Sequence, residues 1–143
     1  MSGGPVVLVV EDEEPNRALL RAVLARATDD RLRGLVLLEA ADLATARAIL
    51  DTNRVDLVLL DVRLPDGNGL SLVWDWAERV GPVPQSVVLS ASVLPGERAA
   101  ALATGAAGFL AKPYRSAELI ESVTSILDGQ TTDPDQAGPT LAG

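Results

Sequence analysis

Short runs of apolar residues recur along the chain and alternate with stretches that have the spacing of amphipathic helices. The five runs occupy positions 6–10, 35–38, 57–60, 87–89 and 108–111. Strands that are buried on both faces of a parallel sheet read as continuous apolar runs, whereas half-exposed antiparallel strands alternate polar with apolar residues. The alternation of strand and helix therefore predicts an α/β domain, with a five-stranded parallel sheet, helices on both faces and right-handed crossovers.

The segments between the runs supply five candidate helices. The first has one apolar face, which carries Leu19, Leu20, Val23, Leu24 and Ala27. Asp42 and Asn68 are candidate N-caps of the second and third helices, because short polar side chains accept hydrogen bonds from the free N–H groups of a first turn. The fourth helix, 96–104, is short and rich in alanine, so few large side chains anchor it. The fifth begins near Ser116, and Gly129 is its expected C-terminal stop.

The length of 143 residues fits one domain that can bury a core without disulfide or metal staples. We expect this domain over 6–128, preceded by an N-terminal extension over 1–5. Residues 129–143 are rich in Gly, Pro, Thr and Asp and have no hydrophobic periodicity. That composition predicts a disordered tail or a truncated linker.

Composition excludes several kinds of site and partner. The chain has no cysteine and no histidine, which removes thiol nucleophiles, zinc–thiolate sites and the commonest general base. The formal charge of −8 argues against direct binding to nucleic acid, since phosphates are neutralised by a basic face. No apolar stretch approaches the roughly 20 residues that span a bilayer, and no signal-peptide pattern opens the chain. We therefore expect a cytoplasmic location and no membrane contact.

Polar residues follow the predicted strands at their carboxyl ends, where open α/β sheets place their sites. They are Glu11, Asp12, Asp61, Ser90 and Lys112. In a doubly wound sheet of order 2-1-3-4-5, the first and third strands are adjacent, so the three acids converge and repel one another. Oxygen-only ligands favour Mg²⁺ as the cation that relieves this repulsion. A carboxylate beside Mg²⁺ and a lysine has the groups that phosphoryl transfer requires.

Four motifs stand in order along the chain, and they read VVLVVEDEE, LVLLDVRLPDGNGL, VVLSAS and GAAGFLAKPY. Together they resemble the receiver domain of two-component response regulators, and the resemblance covers 6–127. It implies a single doubly wound (βα)5 domain of flavodoxin-like fold. It also implies that Asp61 accepts a phosphoryl group from a phosphohistidine of a sensor histidine kinase or a phosphotransfer protein. The Mg²⁺ ligands implied by the resemblance are Glu11 (through water), Asp12, Asp61 and the backbone carbonyl of Arg63.

The resemblance also implies how the phosphoryl group is held and read. Lys112 and the Ser90 hydroxyl would each contact a phosphoryl oxygen, and Phe109 would rotate inward when Ser90 moves. The domain would catalyse its own phosphorylation and dephosphorylation, and its output would be a changed surface on the fourth helix, fifth strand and fifth helix. That surface would dock a partner or a second copy of the chain.

Simpler interpretations stand beside these assignments. Acidic clusters such as 11–14 are commonly the solvated start of a helix, and we assign Glu13 and Glu14 to that role. Phe109 fits a half-buried core aromatic nearly as well as a switch. Trp74 and Trp76 cannot both lie on the core face of one helix, so at least one is expected to be partly exposed and available to a partner.

Other functions are compatible with parts of the pattern. A receiver-like interaction module that no longer depends on phosphate is the main alternative, although every expected site residue is present. A haloacid-dehalogenase-type phosphohydrolase needs an acid two residues after its nucleophile, where this chain has Arg63. A flavodoxin-like FMN binder needs a phosphate loop after the first strand, where acids 11–14 would repel a phosphate.

Overall fold

The computed structural model describes residues 4–77, 83–91 and 95–131. Its main sheet contains five parallel strands: β1 (Val6–Val10), β2 (Val36–Ala40), β3 (Leu57–Asp61), β4 (Gln85–Ser90) and β5 (Gly108–Ala111). The strand order is β2-β1-β3-β4-β5, and every neighbouring pair is parallel. The predicted α/β architecture and its strand order are therefore confirmed.

In the described residues, four α-helices connect the strands and a fifth follows β5; they are α1 (Glu14–Arg26), α2 (Leu43–Thr52), α3 (Leu70–Ala77), α4 (Pro95–Ala103) and α5 (Ser116–Thr131). A short 3-10 helix, Asp30–Leu32, precedes β2. A small antiparallel ladder joins Arg63–Leu64 to Gly67–Asn68 and forms the loop after β3. Within the described ranges, no helix is long and apolar enough to cross a membrane.

Two apolar layers cover the faces of the sheet, because successive side chains of a strand point to opposite sides. The layer beneath α1 and α5 contains Val7, Val9, Leu20, Leu24, Leu57, Leu59, Val87, Leu89, Leu119, Val123 and Leu127. The layer beneath α2 and α3 contains Leu8, Val10, Ala40, Leu43, Ala46, Val58, Leu60, Leu72, Val73 and Trp76. Both faces of β1 and β3 are buried, which explains why those strands read as unbroken apolar runs.

Both N-terminal caps that the sequence predicts accept hydrogen bonds in the structure. The Asp42 carboxylate accepts from the Thr45 N–H at 2.7 Å, and the Asn68 side chain accepts from the Leu70 N–H at 2.8 Å. A further cap comes from the loop after β3: the Asp66 carboxylate accepts from the N–H of Leu43 at 2.8 Å and from that of Ala44 at 3.0 Å. The α2 N-terminus therefore anchors the loop that follows Asp61.

Three details of the sequence prediction are wrong. Leu19 is 55 % exposed rather than in the core, since α1 buries the narrower stripe of Leu20 and Leu24 and leaves Leu19 at its margin. The second strand covers 36–40 rather than 35–38, and as an edge strand it leaves Val36 42 % exposed. Gly129 does not end α5, which runs to Thr131, because this glycine lacks the positive φ of a C-terminal cap.

Some predictions concern residues beyond the described ranges. Most of the N-terminal extension over 1–5 and of the segment 129–143 lies outside them, so both assignments stay predictions. The prediction that at least one of the two tryptophans is partly exposed falls within the described part and is confirmed, whereas a partner contact stays a prediction. Trp76 is buried in the layer beneath α2 and α3, whereas Trp74 is 49 % exposed.

Candidate functional site

The predicted acidic residues meet at the carboxyl end of the sheet. Glu11 and Asp61 are buried at the ends of β1 and β3, while Asp12 is exposed. One carboxylate oxygen from each of the three lies within 4.8 Å of the others. Since β1 and β3 are neighbours in the sheet, the strand order itself produces this cluster.

Lys112 brings a positive charge into the cluster from the end of β5. Its Nζ lies 2.9 Å from Glu11 Oε1 and 3.4 Å from Asp61 Oδ2. It is the only lysine in the chain, and it precedes Pro113 through a cis peptide bond. Three carboxylates thus face one ammonium group, and an excess of negative charge remains at the site.

The buried acids have opposite pKa shifts. Burial raises the pKa of Glu11, but the hydrogen bonds from Lys112 and from the Glu13 N–H, together with the Lys112 charge, leave that pKa below its ordinary value. Burial also raises the pKa of Asp61; the Lys112 charge opposes this and the Glu11 charge adds to it, so the pKa of Asp61 stays above its ordinary value. Lys112 therefore neutralises Glu11 more completely than Asp61.

The loop after Asp61 packs closely against that residue. The Arg63 N–H donates to Asp61 Oδ1 at 3.4 Å, while the Arg63 side chain is exposed. The Gly69 N–H donates to the Val62 carbonyl at 2.7 Å. A Cβ at Gly69 would overlap the Asp61 carbonyl oxygen and lie 3.1 Å from its carbonyl carbon. Glycine is thus required here by a close backbone approach rather than by φ.

Ser90 at the end of β4 and Phe109 of β5 both contact α4. The Ser90 hydroxyl donates to Glu97 Oε1 at 2.9 Å. Phe109 is half-buried against the cluster of Val62, Leu70, Val88, Ala101 and Ala106. The Arg98 guanidinium lies over the Phe109 ring, 5.9 Å from its centroid. Two consecutive residues of α4 therefore contact the two residues to which the resemblance assigns a switch.

Sequence reasoning missed three residues that support the site. Arg17 of α1 donates to the Glu11 carbonyl at 2.7 Å and also pairs with Glu14. Glu97 accepts the Ser90 hydrogen bond, and Asp66 holds the loop to α2. The sequence signals for these residues were weak. Arg17 and Glu97 are charged residues in the first turn of a helix, and Asp66 is an aspartate in a turn motif; both features are common in residues that support no site.

The donor set of the cluster fits Mg²⁺. Carboxylate oxygens from three side chains are close enough to share one ion, and the exposed position of Asp12 leaves room for the waters that Mg²⁺ retains. The set contains neither nitrogen nor sulfur ligands, which would favour transition metals instead.

Comparison with known proteins gives a consistent result. Residues 7–124 match the family model described as the response regulator receiver domain. The chain is 35 % identical over 131 residues to the KDP operon transcriptional regulatory protein KdpE of Escherichia coli, covering 90 % of this chain and 55 % of that protein. It is 32 % identical over 135 residues to the DNA-binding transcriptional activator DevR/DosR of Mycobacterium tuberculosis, covering 94 % and 60 %. The chain thus spans about half the length of the curated relatives it matches.

Solved structures agree with the fold. The receiver domain of the sensor histidine kinase PA1611 from Pseudomonas aeruginosa, solved with a magnesium ion coordinated in its active site cleft, is 30 % identical. It superposes with a TM-score of 0.72 over 87 % of this chain and 98 % of that one. The receiver domain of the Francisella response regulator 1452 superposes with a TM-score of 0.79 at 23 % identity, covering 90 % and 100 %.

Proposed function

Since the chain belongs to the family of response regulator receiver domains, we propose that its Asp61 accepts a phosphoryl group from a phosphohistidine of a histidine kinase or a phosphotransfer protein. The observation that carries this proposal is the convergence of Asp61, Glu11, Asp12 and Lys112 at one end of the sheet. A nucleophilic carboxylate, a cation site and a fixed ammonium group are the parts that phosphoryl transfer needs.

In the proposed step, an Asp61 oxygen forms a bond to phosphorus while the bond from phosphorus to the donor's imidazole nitrogen breaks. The electron pair of that bond leaves with the imidazole. Lys112, already 3.4 Å from Asp61 Oδ2, would bind one phosphoryl oxygen and offset its charge. Dephosphorylation is a separate hydrolytic step: a water oxygen forms a bond to phosphorus while the bond from phosphorus to the Asp61 oxygen breaks, so that inorganic phosphate is released and the Asp61 carboxylate is restored.

Mg²⁺ is the cofactor we propose for this site. Asp12, Asp61 and the Arg63 carbonyl would bind it directly, and Glu11 would bind through water. When bound, the ion supplies positive charge that neutralises the phosphoryl oxygens and the carboxylates. Lys112 and the Arg63 N–H hold the Asp61 carboxylate on either oxygen, which orients it as a nucleophile.

The readout of phosphorylation would involve Ser90 and Phe109. A phosphoryl group brings about −1.5 to −2 charge and new acceptor oxygens, and the Ser90 hydroxyl would donate to one of them while Phe109 turns inward. Both residues contact α4, so the α4, β5 and α5 face is the surface proposed to change. That face would dock a partner or a second copy of the chain, in the cytoplasm, without direct nucleic-acid contact by this domain.

The test is intact mass after incubation with acetyl phosphate, with and without Mg²⁺, on wild type and Asp61→Asn. The proposal expects one phosphoryl adduct, or continuous phosphate release, that requires both Mg²⁺ and Asp61. Phosphate release is followed in parallel, because rapid hydrolysis hides an adduct. If neither signal depends on Asp61, the phosphate-independent interaction module replaces this proposal.

A further inference from the structure

The Ser90 hydroxyl can donate its hydrogen to either of two acceptors, the Glu97 carboxylate or a phosphoryl group on Asp61. In the structure it donates to Glu97 Oε1 at 2.9 Å. A carboxylate has no hydrogen to donate, so the single hydroxyl hydrogen of Ser90 is used in this bond. The same hydrogen is needed for a bond from Ser90 to a phosphoryl oxygen on Asp61. The two bonds therefore exclude each other.

We propose that Glu97 is a positioning residue that competes with the phosphoryl group on Asp61 for the Ser90 hydroxyl. This inference rests on the proposed phosphoacceptor function. It adds an opposing acceptor, supplied by α4, whose strength sets how readily the phosphorylated form adopts its switched arrangement.

Geometry and charge support the competition. Ser90 ends β4, and β4 pairs with β3 so that Asp61 lies opposite Leu89, the residue before Ser90. Phosphorylation of Asp61 therefore places a dianion next to the hydroxyl that Glu97 holds, and the Glu97 carboxylate is repelled as Ser90 turns toward phosphate. Glu97 lies in the first turn of α4, so its release frees that end of the helix.

Arg98, the residue after Glu97, connects the release of Glu97 from Ser90 to Phe109. Arg98 lies over the Phe109 ring at 5.9 Å from the centroid, and both charged residues belong to the same turn of α4. A shift of this turn that separates Glu97 from Ser90 also moves Arg98 over Phe109. Movement of the serine and rotation of the aromatic ring are thereby linked through one helical turn.

The test uses beryllofluoride with Mg²⁺ as a stand-in for the phosphoryl group, titrated while the amide NMR signals of Ser90 and Phe109 are followed. Removing a hydrogen bond to a charged acceptor lowers the half-saturating beryllofluoride concentration by about tenfold in Glu97→Ala. Glu97→Gln keeps an acceptor oxygen without the charge and should fall between it and wild type. The matched control is Glu121→Ala, an exposed acid of α5, which should bind as wild type does.

A double-mutant cycle separates competition from a general effect on α4. In a Ser90→Ala background there is no hydroxyl to compete for, so Glu97→Ala should change the titration by less than twofold. An unchanged titration in Glu97→Ala alone, or a tenfold effect that persists without the hydroxyl, overturns the inference. Wild type that binds no beryllofluoride would instead overturn the proposed function, and the inference with it.

Discussion

The groups around Asp61 fall into two sets that are held differently: an assembled set of Glu11, Asp12 and Lys112, and a readout set of Ser90 and Phe109. Glu11, Asp12 and Lys112 already meet at Asp61, through contacts of a few ångströms between charged groups. Ser90 and Phe109, on the α4 side, are engaged with Glu97 and Arg98 instead. Under the proposed function, the groups for phosphoryl transfer are therefore assembled before any phosphoryl group arrives, whereas the proposed readout must break existing contacts.

The largest effect should come from Gly69→Ala, which displaces the backbone of Asp61 and so disturbs the contacts of the assembled set. The new methyl group would overlap the Asp61 carbonyl oxygen, and overpacking of this kind lowers the free energy of unfolding by about 3 kcal/mol. Displacement of Asp61 should also abolish the phosphoryl adduct. Urea unfolding and intact mass measure the two effects. Gly129→Ala is the control, because an added Cβ there meets no atom within 4 Å beyond its chain neighbours and its own helix backbone; equal stability of the two variants would contradict the prediction.

Lys112→Ala should have the next largest effect, since it leaves the buried Glu11 carboxylate unpaired. We expect a loss of about 2 kcal/mol in the free energy of unfolding at neutral pH. In wild type, the lowered pKa of Glu11 contributes stability that is lost as pH falls through it. Without Lys112, burial would instead raise that pKa, so acidification should relieve the loss.

The measurement for Lys112→Ala is urea unfolding at several pH values, with Glu11→Gln/Lys112→Ala beside it. Removing the Glu11 charge should restore much of the stability that the single variant loses at neutral pH. A deficit in Lys112→Ala that grows on acidification would show that the assembled set is not held by this pair.

Arg17→Met tests support of the assembled set from α1. Loss of the 2.7 Å hydrogen bond to the Glu11 carbonyl should cost about 1 kcal/mol of stability. It should also weaken Mg²⁺ binding about threefold by loosening the segment before Asp12. Calorimetric titration with Mg²⁺ gives the affinity. Arg21→Met is the control, because Arg21 lies on the same helix as Arg17, pairs with Glu39 of β2 and makes no hydrogen bond to Glu11 among the described contacts.

Arg98→Ala should have the smallest effect and tests the readout set. Arg98 is exposed, and an exposed cation over a ring contributes about 0.5 kcal/mol, so stability should change by no more than this. The informative measurement is the ring signal of Phe109, labelled with fluorine, during the beryllofluoride titration. Phe109 should turn at a lower beryllofluoride concentration in Arg98→Ala than in wild type. An unchanged midpoint of the beryllofluoride titration would show that Arg98 does not influence the rotation of Phe109.

The same contrast explains what the sequence could predict. Asp61 is the last residue of β3, and Glu11 and Asp12 directly follow β1, so the sheet alone places them together and the prediction needed only strand order. The Gly69 contact was hidden in a turn motif whose glycines have several possible uses. Leu19 was placed wrongly because spacing defines a helical face only to within one neighbouring residue.

Glu97 and Arg17 could not be found in this way. Each reaches its partner through a long side chain from a helix, and the rotation of that helix is set by packing rather than by local spacing. The short α4 shows this most clearly, because its alanines specify a helix without specifying which residue faces Ser90.

The location of the single lysine allows the acid cluster to be labelled selectively for NMR. Apart from the N-terminus, Lys112 Nζ is the only primary amine in the chain, and it lies between Glu11 and Asp61 with 22 % of its side chain exposed. Reductive methylation with ¹³C-formaldehyde therefore labels one side chain, inside the acid cluster, in addition to the N-terminal amine. Its resonance records changes in charge and cation occupancy at the cluster directly, against a background free of other labelled side chains.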